Sequence, residues 1–276
     1  MPPHIICAGR LAKRSLNGAS GTVLTVFESS AYLENSVTDE LVCVGTQALP
    51  DGPINVRTSL IQLPSLETGN QWYCRNDNLT IEDIASLQYK PDRFTHNETP
   101  DLLFTSPAEP KIVELLRSHL PHHLPGAFNE KLKEHLQPGI QALTQWLQCK
   151  PDLPPATQLQ NLIGCGEGLT PTGDDILIGA LITLKHTNRL EQFTLLSDWV
   201  KANAAILTNR ISLAHLHAAC EGHAVVLLHD VLNAISCNDA TKVQQTLAKL
   251  DQYGHRSGRD ALYGMLTVLQ NEYVKN

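Results

Sequence analysis

One glycine-rich stretch constrains the fold of this chain more than any other. Its sequence is GCGEGLTPTGDD at positions 164–175, and an apolar run follows at positions 176–184. Glycines at every second position allow positive φ angles and a close approach of the backbone to a ligand. A helix that begins after them presents unpaired N–H groups and the positive end of its dipole. The stretch therefore predicts a helix N-terminus that binds an anion.

Two adjacent aspartates complicate that prediction, because Asp174 and Asp175 would repel a bare anion. A hard cation such as Mg²⁺ between the acids and the anion would remove the conflict, since it prefers oxygen ligands. Asp174, Asp175 and the later Asp260 are therefore candidate ligands of a divalent cation, and Mg²⁺ is the candidate cofactor.

The same pattern occurs a second time near the C-terminus. The segment TGDDILIGAL at 172–181 aligns without a gap on SGRDALYGML at 257–266. In each copy the hydroxyl and the aspartate three residues later fit a variant of the capping box, so we expect Asp175 and Asp260 to cap their own helices. The second glycine of each copy leaves room for another helix. We expect the two helix starts to face one site; two ordinary core helices are the alternative.

Composition and charge exclude several classes of protein. The chain has 276 residues, 42% of them hydrophobic, which is enough to bury one large core or two smaller ones. No apolar run approaches the roughly 20 residues that cross a bilayer, and the first ten residues are too weakly apolar for a secretory signal. A net charge of −7 without a basic run argues against nucleic acid as the main partner. Seven cysteines without a C-x-x-C pair predict reduced thiols in a cytoplasmic protein. The lack of a long apolar run predicts no membrane partner.

The expected fold class is α+β, with a β-rich domain at 1–100 and a mostly helical domain at 101–276. Runs rich in Val, Ile, Thr and Leu predict strands of a small antiparallel sheet or barrel, at 4–8, 21–29, 41–46 and 54–63. Past residue 110 the hydrophobic period lengthens towards that of a helix. An amphipathic helix is predicted at 190–207, and Gly222 is expected to kink or divide the apolar segment at 209–237.

Further polar residues are candidates for the same site. Arg210 and Ser212 follow the possible caps Thr208 and Asn209, so they can add a guanidinium and a hydroxyl to an anion site. An interhelical salt bridge is the alternative for Arg210. His255, in the loop before the second copy, can bind a ligand, act as a general base or only shape a turn.

The candidates fall into two groups. The catalytic candidates are His255, Asp175 and Arg210. The substrate-binding candidates are backbone or hydroxyl contacts: Gly166, Gly168, Thr170, Thr172, Ser212, Ser257 and Gly258. A zinc site built from the histidines at 215, 217, 223 and 229 is not favoured, because ligands on one helical face lie three or four residues apart.

At these residues the chain resembles the AllH family. The resemblance lies in GLTPxxDDxLxG at 168–179, RIS at 210–212 and GHxSGxD at 254–260 with Gly264, and it covers about residues 160 to 276. Arg256 stands where the family usually has a threonine, and Gly173 is at a position that varies. The family was long a domain of unknown function and was later linked to a subunit of oxamate carbamoyltransferase.

The resemblance implies a bacterial cytoplasmic protein, one of three subunits of an enzyme of anaerobic allantoin use. That enzyme interconverts oxalurate plus phosphate with oxamate plus carbamoyl phosphate, so the other carbamoyltransferase subunits are the implied partners. Two alternatives stay open on the residues alone. One is a Mg²⁺-dependent hydrolase of a phosphorylated or ADP-ribosylated compound, since paired aspartates suit metal-activated water. The other is a non-catalytic module that binds a small anion and assembles partners.

Overall fold

The computed structural model describes residues 3–76, 78–82, 85–89, 108–120, 130–149, 154–252 and 256–271. The chain divides into two compact units, Met1–Thr99 and Pro100–Asn276. The domain boundary expected at residue 100 falls in 90–107, outside the described residues, so that boundary stays a prediction.

The first unit is a β-barrel. Its described strands are β1 His4–Ala8, β2 Ser20–Val26, β3 Ser30–Asn35, β4 Leu41–Gly45, β5 Asn55–Thr58, β6 Gln71–Arg75, β7 Asn78–Ile81 and β8 Ala85–Tyr89. They close in the order β1-β5-β4-β3-β2-β6-β7-β8. Most neighbours are antiparallel, but β4 with β5 and β1 with β8 are parallel. Of the predicted small antiparallel sheet or barrel, the barrel is confirmed, although two of its strand pairs are parallel. Closure leaves no unpaired sheet edge among these strands.

Local sequence explains part of this barrel. Along β6, Trp72 and Cys74 are buried while the residues between and beside them are exposed, which is the alternation of a strand with one face in a core. In contrast, β4 is buried at every position and therefore shows no alternation. The short helix α1, Arg10–Leu16, lies between β1 and β2 and was missed, since seven residues give little helical periodicity.

The second unit is helical in its described residues. Its helices are α2 Pro110–His119, α3 Glu130–Gln148, α4 Thr172–His186, α5 Leu190–Leu207, α6 Arg210–Cys220, α7 Val226–Ser236, α8 Ala240–Leu250 and α9 Ser257–Gln270, with a 3₁₀ turn at Thr157–Asn161. The expected helix at 190–207 coincides with α5. Gly222, with a φ angle of 83°, separates α6 from α7, so the expected division is confirmed.

Helix α4 is the centre of this unit. All of its residues except Lys185 are buried, and it packs against α5, α6, α7 and α9. Its closest approach is to α9, through two reciprocal glycine contacts. A Cβ on Gly179 would lie 1.9 Å from the carbonyl oxygen of Ala261, and one on Gly264 would lie 2.0 Å from that of Ile176. Because these positions correspond in the two sequence copies, the pair is related by an approximate two-fold symmetry.

No helix within the described ranges combines the length and the apolar character that crossing a membrane requires.

Candidate functional site

The two repeated helix starts meet in space. Thr170 lies two residues before α4, Ser257 is the first residue of α9, and their hydroxyl oxygens are 2.8 Å apart. Both residues are half-buried, so the junction is reachable from solvent. The expected proximity of the two starts is confirmed, and it follows from the reciprocal glycine contacts that hold α4 against α9.

The expected capping boxes are wrong. Helix α4 begins at Thr172 with Pro171 at the N-cap, and α9 begins at Ser257 with Arg256 at the N-cap. Neither N-cap side chain makes a capping hydrogen bond. The two hydroxyl residues therefore stand one position too far into their helices to act as caps.

The two aspartates instead reach across to the other helix. The hydroxyl groups of Ser257 and Thr170 hydrogen-bond to the carboxylate of Asp175, and the hydroxyl of Thr172 hydrogen-bonds to that of Asp260. Each copy of the pattern thus supplies an acid for the hydroxyl of the other copy. The Oδ2 atom of Asp175 is buried and has no hydrogen-bond partner among the described residues. The junction therefore retains an acceptor that the described protein groups do not use.

Burial and mutual repulsion disfavour the ionised forms of this acid pair. Burial raises the pKa of Asp175 well above its usual range, and the neighbouring charge of Asp260 raises it further. Burial raises the pKa of Asp260 to about 6, against the opposing effects of Thr172 and of the positive charge of Arg256. Two carboxyl groups in this situation titrate as a pair and favour carrying a shared proton or binding a cation.

Asp174 has a different position. It is fully buried, its Oδ1 accepts a hydrogen bond from the amide of Gly164 at 2.8 Å, and its Oδ2 accepts from the hydroxyls of Thr208 and Ser212. Burial raises the pKa of Asp174, and these three hydrogen bonds act in the opposite direction. Because both oxygens are engaged, Asp174 anchors the start of α6 and the glycine-rich loop to α4. The metal prediction then depends on Asp175 and Asp260.

Glycine is required in the loop that precedes α4. Gly164, Gly166 and Gly168 have φ angles of 71°, 136° and 93°, which confirms the positive φ angles expected at alternate positions. A Cβ on Gly164 would lie 2.0 Å from the carbonyl oxygen of Leu207, and one on Gly166 would lie 2.4 Å from the amide nitrogen of Thr172. The loop is therefore held tightly at both of these glycines.

The tip of this loop offers backbone donors. The amide of Gly173 donates to the carbonyl of Cys165 at 2.9 Å and closes the loop. Within the part of the chain that the structure describes, the amides of Gly166, Glu167 and Gly168 donate to no backbone carbonyl. Successive free amides next to a helix start are the usual protein groups that hold an oxyanion.

The remaining candidates are spread around the junction. Arg210 is the first residue of α6 and is exposed, while Ser212 is fully buried and directs its hydroxyl at Asp174. A substrate could contact Ser212 only if the surrounding side chains moved, because Ser212 is fully buried. Gly258 is buried, where a Cβ would lie 2.9 Å from the side chain of Leu250. His255 lies outside the described residues.

Asn209 connects the loop to α6. Its side-chain oxygen accepts from the amides of Ile211 and Ser212, which confirms it as the N-cap. Its side-chain nitrogen donates to the carbonyl of Leu169 at 3.0 Å. The start of α6 is thereby fixed to the glycine-rich loop through Asn209 as well as through Asp174.

One pair of residues at the junction was missed from sequence. The guanidinium of Arg256 lies 3.7 Å from the carboxylate of Glu167, so a side chain at the start of α9 pairs with the loop before α4. The signal that could have identified it is the departure from the family pattern, in which a threonine usually occupies the position of Arg256.

The described segments contain no cluster of three or more His, Cys, Asp or Glu side chains that could bind a metal ion. The buried pair His186 and His229 has ring nitrogens 2.9 Å apart, and burial lowers the pKa of His229 to about 3. Burial likewise lowers the pKa of His215 to about 4. Burial and the charge of Asp174 raise the pKa of Cys165, which disfavours a nucleophilic thiolate.

The comparison with protein families addresses this same region. The family model described as oxamate carbamoyltransferase subunit AllH matches residues 162–269. The resemblance to AllH is confirmed. The AllH match begins just before the glycine-rich loop and reaches the end of α9, so it includes both helix starts. No solved structure matches the chain.

Proposed function

We propose that this chain is a subunit of a carbamoyltransferase that interconverts oxalurate plus phosphate with oxamate plus carbamoyl phosphate, in the anaerobic use of allantoin nitrogen. The AllH match supports the class of enzyme. The observation that carries the site is the 2.8 Å contact between Thr170 and Ser257, which joins the two helix starts. Because the matched family is described as a subunit, the proposed partners are the other subunits of the enzyme.

The junction suits the charges of this reaction. Each of the four compounds carries a carboxylate or a phosphate, and transfer of such groups depends on positioning and on electrostatic stabilisation of oxygen atoms. The amides at Gly166–Gly168 supply hydrogen-bond donors, because they donate to no backbone carbonyl of the described residues. Two helix N-termini together contribute about one positive charge. We propose that these groups form the phosphate site.

Charge balance favours a magnesium ion at the same place. If Asp175 and Asp260 were both ionised, their two negative charges would exceed the roughly one positive charge of the helix starts and repel phosphate. Mg²⁺ would reverse the balance, and it is commonly held by one or two carboxylates together with substrate phosphates and water. The free Oδ2 of Asp175 supports this assignment, since it is an unused oxygen ligand. The bound ion would neutralise charge on the phosphate.

Other residues have supporting roles in this proposal. Asp174 holds the glycine-rich loop in place through Gly164, and the loop amides are proposed to contact the ligand. Arg210 and His255 are proposed to neutralise and orient the substrate. Thr170 and Ser257 keep the acid pair and the loop in one arrangement through their mutual contact.

Isothermal titration of the purified chain with phosphate, with and without Mg²⁺, tests the proposal. We expect saturable phosphate binding that requires Mg²⁺. Asp175→Asn should weaken it at least about tenfold, because loss of a charged ligand group costs roughly 1.5–3 kcal/mol. The matched control is Asp198→Asn, an exposed acid on α5, which should bind like the wild type.

The outcomes separate the candidate functions. A folded wild-type chain that binds no phosphate in the presence of Mg²⁺ would contradict the proposal. Metal-dependent hydrolysis of phosphate esters by the chain alone would favour the hydrolase. Turnover of oxalurate and phosphate, alone or with added partner subunits, would support the transferase.

A further inference from the structure

We propose that another subunit of the carbamoyltransferase docks on an apolar surface beside the glycine-rich loop and covers this loop when the enzyme assembles. The surface is the apolar rim, formed by the exposed side chains of Leu169, Ile206 and Leu207. The inference rests on the proposed function, and it identifies where the partner binds and what the partner contributes to the site.

The apolar rim is open to solvent and borders the loop. Ile206 is 89% exposed, and Leu169 and Leu207 are 44% and 43% exposed. Ile206 and Leu207 end α5, whereas Leu169 lies at the tip of the loop. The side chain of Asn209, just after α5, donates to the carbonyl of Leu169 at 3.0 Å. A Cβ on Gly164 would lie 2.0 Å from the carbonyl oxygen of Leu207, so the end of α5 and the loop are in direct contact.

The end of α5 differs from an ordinary surface helix. The exposed residues of its last two turns are Lys201, Ala202, Ala205, Ile206 and Leu207, and only the first of them is polar. A helix that is apolar on its outer face as well as on its core face is typically covered, and exposed apolar surface of this kind marks a protein contact. In the same unit, α8 shows the usual pattern, since its large exposed side chains are polar: Lys242, Gln244, Gln245 and Lys249.

The proposed reaction requires a cover over the loop. Glu167, Gly168 and Leu169 are exposed, so water reaches the amides that are proposed to hold phosphate. Water would compete with phosphate for the carbamoyl group, and enzymes prevent such side reactions by closing the site. A partner seated on the apolar rim would exclude this water, because the rim borders the loop.

A different subunit fits the apolar rim better than a second copy of this chain. The matched family is described as a subunit. A specific interface involves about 20–30 residues on each side, so the contact must extend from the rim onto the adjoining exposed surface, which includes the loop tip at 167–169. In a two-fold contact between copies the same surface would face itself. Two phosphate sites would then approach each other, and their like charges disfavour that arrangement.

Sedimentation velocity of the full chain, alone and mixed with the other carbamoyltransferase subunits from the same organism, tests the inference. We expect a complex in the mixture that Ile206→Lys weakens at least about tenfold, because it places a charge in an apolar contact. Val37→Lys is the matched control, since Val37 is 88% exposed in the barrel, and it should assemble like the wild type. Ile206 is almost fully exposed, so its variant should unfold at the same urea concentration as the wild type.

Hydrogen–deuterium exchange of the same mixture shows whether the partner covers the loop. The amides at 166–168 should exchange at least about tenfold more slowly in the complex, because water no longer reaches them. Exchange at the polar outer face of α8 should not change.

Three results would overturn the inference: no complex, an Ile206→Lys complex as stable as that of the wild type, or equally fast exchange of the loop in the complex. Self-association of the chain alone that Ile206→Lys abolishes would also overturn it, because the occupant would then be a second copy. Mg²⁺-dependent phosphate binding by the isolated chain does not involve the apolar rim. Measured on the same samples, it shows whether the proposed function still stands when the inference fails.

Discussion

The starts of α4 and α9 share one sequence pattern, but the residues at one position of the pattern differ in charge, burial and contacts. Both supply a hydroxyl, an aspartate and a glycine to their mutual contact. At the third position of the pattern, α4 has Asp174, which is fully buried, and α9 has Arg259, which is exposed and pairs with Asp251. The shared residues therefore build the junction, while the differing residue ties each helix to its own surroundings.

Because of this difference, the two copies have different structural roles. The hydrogen bonds of Asp174 fix the glycine-rich loop and the start of α6, so the α4 copy carries the loop amides. The α9 copy carries Arg256, and it is linked to the loop by the exposed ion pair with Glu167 and by the contact between Ser257 and Thr170. An approximately symmetric pair of helices thus presents an asymmetric set of groups.

The largest expected effect tests the symmetric part of the comparison. Gly179→Ala and Gly264→Ala each place a methyl group about 2 Å from a backbone oxygen of the other helix. Each should lower the free energy of unfolding by about 3 kcal/mol, because a packed backbone cannot move aside without loss elsewhere. Urea unfolding measures the loss in the free energy of unfolding for each variant. A loss below about 1 kcal/mol in only one of the two variants would show that the two contacts are not equivalent.

The second largest expected effect tests the position at which the two copies differ, Asp174 in α4 and Arg259 in α9. Asp174→Ala leaves the amide of Gly164 and the hydroxyls of Thr208 and Ser212 without their acceptor, which should cost about 2–3 kcal/mol. Arg259→Ala removes only an exposed ion pair and should cost less than about 0.5 kcal/mol. Denaturant unfolding of both variants under the same conditions gives the ratio of their losses in unfolding free energy. Equal losses would remove the distinction between the copies.

A smaller effect concerns the pH dependence of stability. Burial raises the pKa of Asp260 to about 6 in the folded chain, above the usual value of a free carboxyl group, so the folded state holds this proton more tightly. Its contribution to stability is complete below about pH 4 and is lost as the pH rises through about 6. The wild type should therefore lose about 1–2 kcal/mol relative to Asp260→Asn between these pH values.

Taking the difference between the two proteins is essential to that measurement. The pKa values of His215 and His229 are lowered on folding, so these histidines lower stability as the pH falls. Their contribution has the opposite sign but is common to both proteins and cancels. If the stability difference between the wild type and Asp260→Asn stayed constant from pH 4 to pH 7, the pKa of Asp260 would not be raised on folding.

Sequence periodicity predicted those strands and helices whose apolar residues recur at a regular spacing. The strand at 4–8 and the helix at 190–207 match β1 and α5, because their apolar residues recur with the expected period. The strands β3 and β6 to β8 were missed, as was α1. These elements are short, and their place in the barrel depends on pairing with distant strands.

Sequence analysis was limited in the same way for the contacts of individual side chains in the site. The sequence repeat predicted that the helix starts of α4 and α9 lie together, since the same glycines allow the same close packing in both copies. It could not predict that Asp175 and Asp260 exchange hydroxyl partners, because the partner of a carboxylate depends on the crossing of the helices. The burial of Asp174 was hidden for the same reason, as Thr208 and Ser212 are distant in sequence.

The most direct test of the central idea, that both helix starts form one site, is a double-mutant cycle on Mg²⁺-dependent phosphate binding. Thr170→Val and Ser257→Ala are measured singly and together by isothermal titration. If the two hydroxyls act in one site, their effects should deviate from additivity by at least about 0.5 kcal/mol. Strictly additive effects, or an effect of only one of the two variants, would contradict a shared site at the junction of α4 and α9.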